Sequence, residues 1–335
     1  MVTTRLAARA VAVLAVLAAI AAAVLWFVPS SDYLFLPDEP KAVDRLITVP
    51  RESHRDDSRA TGIYMVDISE RHASLLEHFF PELREGATLV PAKEFNPRGI
   101  SERKLFAMSL RDMRRSQKIA AAVALRTLGY RARATPHGAR VTHVFRDTPA
   151  RGRFREGDII VAAAGERVDT TGDLRQAMAD VSPGERVRVV VRRDGKRMRM
   201  TVPTTSAPGP SRRAIFGIGV EPAATNIHLP LRIRIDTGRI GGPSAGLAFA
   251  LDIVDELRHD LDRGRKVAAT GELDLDGNVL AIGGIKQKTI GARRAGIDVF
   301  LVPDANAAGA RRYAQGMRVV PVSTFREALS RLPTV

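Results

Sequence analysis

Residues 240–257 read IGGPSAGLAFALDIVDEL, and the reading of the C-terminal half turns on them. Gly242-Pro243-Ser244-Ala245-Gly246 fits G-x-S-x-G, the pattern that sets a serine on a sharp turn entering a helix. The apolar run after it predicts that helix, with Ser244 at its N-terminus. There the unpaired backbone N–H groups and the positive end of the dipole can stabilise an oxyanion. The rival reading is a Gly/Pro turn whose serine does no more than cap a helix. In an α/β-hydrolase a serine of this pattern needs an acid and then a histidine downstream. The only histidine after Ser244 is His259, fifteen residues on in the same helical stretch. It cannot complete the usual triad, so any base must be another residue type.

Lysine is the candidate base. Of the 52 basic residues only 8 are lysines, yet two of them, Lys286 and Lys288, follow Gly283-Gly284-Ile285 within three positions. Arginine keeps its proton in a protein, whereas a lysine moved into an apolar site can titrate near neutrality, as a general base must.

Around these motifs strands and helices alternate to the C-terminus: FGIGVEP, LRIRIDT, the serine helix, VAATGELDL, VLAIGGI, a helix from Lys286, VFLVP, another helix and RVVPVS. The two segments together resemble the proteolytic domain of the Lon family of serine–lysine peptidases. GGPSAG carries the serine, TGELDLDGNVLAIGGIKQK supplies a hairpin and the lysine, and AARRAGIDVFLVP continues the pattern. The resemblance covers about Phe216 to Leu332. It implies that Ser244 is the nucleophile and that the second lysine, Lys288, 44 residues on, is the base. It also implies that Lys286 faces solvent, that Thr270 orients the lysine beside Glu272, and that Gly242 and Pro243 support the serine. Lon proteases usually carry an acidic residue three positions before the serine; Gly241 stands there instead.

Upstream, short strands and turns fill about Ala134 to Thr204: VTHVF, DIIVAAAG, a helical DLRQAMADV, and ERVRVVVRRDGKRMRMTV with the hairpin signal Asp194-Gly195. With TPARGRFREGD and the AGERV turn, this order resembles a PDZ domain of the bacterial type. PDZ domains bind extended peptides along an exposed sheet edge. The groove is then expected along Gly138, Ala139, Arg140, Val141, Thr142, His143, Val144 and Phe145, although ATPHGAR is a poor match to the glycine-rich carboxylate loop. The alternative is a β-rich packing module without a ligand.

Nineteen uncharged residues, Ala10 to Val28, span ~28 Å as a helix, close to a bilayer's ~30 Å core. Arg5 and Arg9 precede the run while Asp32, Asp38 and Glu39 follow it, which predicts a cytoplasmic N-terminus. Trp26 and Phe27 suit the outer interface. A cleaved signal peptide, cut near Ala21-Ala22-Ala23, is the alternative. Residues 29–60 read as a linker, Thr61 to Ile68 as a strand, Ser69 to Leu83 as a helix, and Gly99 to Tyr130 as one long helix or two.

Composition narrows the partners. The 52 Lys and Arg against 37 Asp and Glu give +15, which raises nucleic acid or anionic lipid as a counter-charge. Aromatics at 5% are too few for base-stacking platforms, and an outside location leaves lipid rather than nucleic acid. The absence of cysteine excludes disulfides, thiol nucleophiles and thiolate metal sites. No metal or other cofactor is expected.

The chain therefore reads as an α+β multi-domain protein. Its expected parts are 1–28 cytoplasmic tip and transmembrane helix, 29–133 linker and mixed helix/strand segment, 134–204 PDZ domain, 205–213 linker, and 214–335 Lon-type proteolytic domain. It resembles the membrane-anchored Lon-like proteins of bacteria, and this likeness extends through ATGIYMVDI and RRSQKIAAAVAL. No G-x-x-x-x-G-K-[ST] occurs in these residues, so the ATPase motor of Lon is not expected. The expected function is an ATP-independent, extracytoplasmic serine endopeptidase whose PDZ domain presents peptide or protein substrates. The alternative is an inactive PDZ scaffold at the membrane. Expected partners are those substrates and membrane lipid around the N-terminal helix, and the family resemblance allows for a homo-oligomeric ring.

Overall fold

The computed structural model describes residues 2–50, 61–96, 101–207, 213–258 and 261–332. His259 lies outside the described residues. The chain forms two compact units, and they do not follow one another along the sequence. One takes Met1–Ala124, Leu231–Leu273 and Gly277–Val335; the other takes Leu125–Pro230 with Asp274–Asp276.

The first unit is built on a five-stranded sheet. Its strands run Lys41–Ala42, Gly62–Met65, Lys266–Ala269, Val299–Pro303 and Arg318–Val322. The last four are parallel, and Met65 stands opposite Ala269, itself opposite Leu301. All five residues of Val299–Pro303 are buried, as an unbroken apolar run in a parallel strand should be. The helix Gly246–Arg258 is buried around its whole circumference through Glu256, so it is a core element rather than a surface one.

The segment 29–133 differs from its sequence reading in two places. Pro29–Pro37, expected as linker, is the central strand of a three-stranded antiparallel sheet, between Ile68–Ser74 and Thr88–Val90. Its Tyr33-Leu34-Phe35-Leu36 core suits a strand, and Leu34 is fully buried. The expected helix from Ser69 begins only at Leu75, because Ile68–Ser74 pairs with that strand first. Ser74 then closes a capping box with Glu77. The described residues of this segment up to Ala124 lie in the same compact unit as the C-terminal strands.

Helix Val2–Phe27 leads this unit, with Val11, Leu14, Leu17 and Ile20 among its exposed apolar side chains. Among the described residues no helix is long and apolar enough to cross a membrane.

The second unit carries a sheet in the order Lys196–Pro203, Arg186–Arg193, Ile159–Ala163, Arg133–Val144, Ile218–His228. Asp194 and Gly195 both have positive φ, 50° and 81°, which lets the two-residue loop follow the twist of its strands. Val141, Ile160, Val189, Val191 and Val202 fill the core. Helix Thr171–Ala177 starts at a capping box between Thr170 and Asp173. FGIGVEP, expected as the first strand of the C-terminal domain, instead contributes to Ile218–His228 of this sheet.

That pairing corrects the expected groove. The strand through Gly138–Val144 is already paired along one side, and over Ala139–Arg140 on the other. Ala139 and Arg140 pair with Ile160 and Ile159 on one side. On the other, Val144, His143, Val141 and Arg140 pair with Ile218, Gly219, Val220 and Glu221, and Phe145 N–H donates to the Gly217 carbonyl. A peptide cannot add there as a further strand. The outer strand on that side of the sheet is Ile218–His228.

Candidate active site

Three elements of the first unit converge on Ser244. Ser244 ends the turn that opens helix Gly246–Arg258. The turn bends through Gly242, whose φ of +87° suits a residue without a Cβ. Thr270 follows strand Lys266–Ala269 and is fixed to its neighbour by a backbone bond to the Leu301 carbonyl. Lys288 lies on helix Ile285–Arg294, one turn past its N-cap Gly284.

The Lys288 Nζ donates to the Ser244 Oγ at 2.6 Å and to the Thr270 Oγ1 at 3.3 Å. Thr270 in turn donates to the Ser244 carbonyl at 3.2 Å, and the Gly271 N–H reaches that carbonyl at 2.8 Å. Serine, lysine and threonine therefore form one connected set. Pro243 also touches it, because its carbonyl accepts from Ser116 at 2.8 Å.

Burial governs the lysine. Lys288 is 3% exposed and Thr270 fully buried. Removal from water pushes the ammonium down to about 8, against the nearby charges of Asp67 and Glu70, which favour the protonated form. Burial in turn pushes both carboxyls above their usual range. An amine at about 8 leaves about one in ten neutral at pH 7, and that form can accept a proton from the serine.

Lys286 does not face solvent, as the resemblance had implied. It is half-buried, and its Nζ donates to the Ala87 carbonyl at 2.8 Å and to Thr88 Oγ1 at 3.3 Å. Gln287 binds the same segment through Gly86 and Thr88. These bonds seat the lysine helix and keep Lys286 away from Ser244. Asp67, Glu70 and Ser116 had no place in the sequence reading. Only Ser116 left a trace there, as a polar residue three after Met113 and four before Ala120 on an apolar helix face. Among the described residues no group of three or more His, Asp or Glu could hold a metal ion.

Comparison with known proteins matches two parts of the chain to families. Residues 220–332 match the Lon protease (S16) C-terminal proteolytic domain, and residues 126–204 match the PDZ domain. Lon protease 1 of Myxococcus xanthus is 34% identical over 171 residues, which is 47% of this chain and 20% of that protein. The Lon protease of Chloroflexus aggregans is 38% identical over 151 residues, 42% of this chain and 18% of that protein. The matched part thus spans about a fifth of the length of these relatives. Among solved structures, the PDZ domain of an SdrC-like protein from Listeria monocytogenes aligns with 26% of this chain and 92% of its own. That alignment has 19% identity and a TM-score of 0.25. The chain carries a Lon-type serine-peptidase proteolytic domain over residues 220–332 and a PDZ domain over residues 126–204.

Proposed function

We propose that this chain is a membrane-anchored, extracytoplasmic serine endopeptidase that cleaves without ATP, through a Ser244–Lys288 dyad. The observation that carries the reading is the 2.6 Å hydrogen bond from a buried lysine to the serine hydroxyl. In the reaction Ser244 Oγ attacks the peptide carbonyl carbon while neutral Lys288 takes the hydroxyl proton. Backbone N–H groups of the serine turn hold the oxyanion. As the tetrahedral intermediate collapses, the Lys288 ammonium gives its proton to the leaving amine. Water then attacks the acyl-enzyme, with Lys288 again as base. Thr270 keeps the amine aimed at the hydroxyl by accepting one of its N–H bonds.

The lack of a phosphate-binding G-x-x-x-x-G-K-[ST] supports work without ATP hydrolysis, on unfolded or exposed segments. The PDZ domain supports peptide or protein substrates, taken by strand addition along Ile218–His228, the outer strand of its sheet. The membrane placement rests on the uncharged run Ala10–Val28 with Arg5 and Arg9 before it and acids after it. Protease added to intact protoplasts should digest the bulk of residues 30–335; full protection would overturn the orientation. The activity is tested with full chain and an unfolded protein substrate in the absence of nucleotide. Cleavage lost in Ser244→Ala supports the reading, and cleavage retained in that variant rejects it.

A further inference from the structure

The helix Glu102–Thr127 lies outside residues 220–332, yet it grips the turn that carries Ser244 at two points. Ser116, 3% exposed, donates its Oγ–H to the Pro243 carbonyl at 2.8 Å. Seven residues earlier, and so on the same helix face, the backbone carbonyl of Ser109 accepts from Gly242 N–H at 2.8 Å. Gly241 packs on Ser109 so closely that a Cβ there would collide with the serine hydroxyl. This contact requires glycine at the position where Lon proteases usually carry an acid.

These bonds sort the amides of the turn. Gly242 N–H is tied to Ser109, Gly246 N–H to the Pro243 carbonyl at 3.3 Å, and Leu247 N–H to the Gly271 carbonyl at 3.0 Å. Pro243 has no N–H. From Gly242 to Leu247, the amides of Ser244 and Ala245 alone are left without an acceptor among the described residues. The carbonyl and N–H of one trans peptide point in opposite directions. Holding the Pro243 carbonyl toward Ser116 therefore turns the Ser244 N–H away from that helix.

We propose that Ser116 is a positioning residue of the active site: its hydroxyl fixes the Pro243–Ser244 peptide plane so that the Ser244 N–H faces the oxyanion formed during attack. The proposal rests on the serine–lysine reading and adds to it a residue from outside the matched domain. The Ser116 hydroxyl bonds the Pro243 carbonyl rather than the Ser244 oxygen, so it acts through the peptide it holds. Without the hydroxyl the plane is free to rock, and the oxyanion donor loses its aim.

The test uses full chain, a short unstructured peptide substrate and a peptide boronate, which forms a tetrahedral adduct with a serine. In Ser116→Ala, kcat should fall about ten- to a hundredfold, less than the ~10²–10³-fold cost of deleting an oxyanion donor. KM should change little. Boronate affinity should weaken by a factor close to the loss in kcat. The acid limb of the pH profile should stay where wild type has it, because Lys288 is untouched. Should the alanine variant not fold, Ser116→Cys, similar in shape and a weak donor, carries the same test. Unchanged kcat, or a fall in kcat with boronate affinity intact, overturns the role of Ser116. If wild type forms no boronate adduct at Ser244, the dyad reading fails first and the proposal falls with it.

Discussion

Replacing Lys288 by arginine is expected to lower kcat/KM on an unstructured peptide by at least the ~10²–10⁴-fold that a general base contributes. The substitution keeps the positive charge and much of the length, so a lysine that served only as a counter-charge would be replaced at small cost. Arginine cannot give up its proton. Lys288 can, because burial draws its amine down to about 8 at 2.6 Å from the serine oxygen. Lys286→Arg is the matched control. That side chain donates to Ala87 and Thr88 rather than to Ser244, so activity should stay within a few-fold of wild type. Normal cleavage by Lys288→Arg with loss in Lys286→Arg would move the base by two residues. Normal cleavage by both would remove the lysine from the mechanism.

A larger loss is expected from Ser244→Ala. Without the hydroxyl there is no acyl-enzyme, and the comparable deletion in serine peptidases costs on the order of 10⁶ in kcat. Once the nucleophile is gone the base has nothing to deprotonate. The Ser244→Ala/Lys288→Arg double variant should therefore be no slower than Ser244→Ala alone, since residues that act as a unit are not additive. What remains should be the weak contribution of binding and of the turn's amides. A double variant slower by the full product of the single losses would mean that the two side chains work independently, against the 2.6 Å bond that joins them.

The chemistry was more legible in the sequence than the topology. Ser244 stands out because G-x-S-x-G is a local pattern, and the pair Lys286 and Lys288 because lysine is scarce in a chain that uses arginine by default; only the family resemblance picks Lys288 from the two. The Asp194-Gly195 hairpin was readable for the same reason, as two residues with φ > 0 between alternating strands. Long-range pairing leaves no such mark. TGIYMVDI reads as a strand, but nothing in it says that Gly62–Met65 lies beside Lys266–Ala269, some two hundred residues on. Without that partner the N-terminal segment looked separate from the C-terminal strands, whereas both sit in one compact unit. The same blindness misplaced the peptide groove. VTHVF reads as a strand, yet its second neighbour, Ile218–His228, lies beyond a Pro/Ser/Gly linker, where FGIGVEP reads as the start of the following domain. Ser69–Leu83 misled for a different reason: the Ser74 to Glu77 helix start is genuine, but the residues before it obey the sheet partner Pro29–Pro37 rather than their own propensity.

The central claim is that Lys288 activates Ser244 by taking its proton, and the pH dependence of covalent labelling measures that step most directly. Full chain is reacted with a fluorophosphonate that modifies nucleophilic serines, and the rate of adduct formation at Ser244 is followed from pH 6 to 10 by peptide mass mapping. Protonated Lys288 cannot accept the hydroxyl proton, so the rate should climb with pH and level off above about 8, where the amine is neutral. Lys288→Arg should label slowly throughout and show no limb near that pH. Labelling of Ser244 in Lys288→Arg at the wild-type rate, or a wild-type rate that does not vary across this range, would contradict the account.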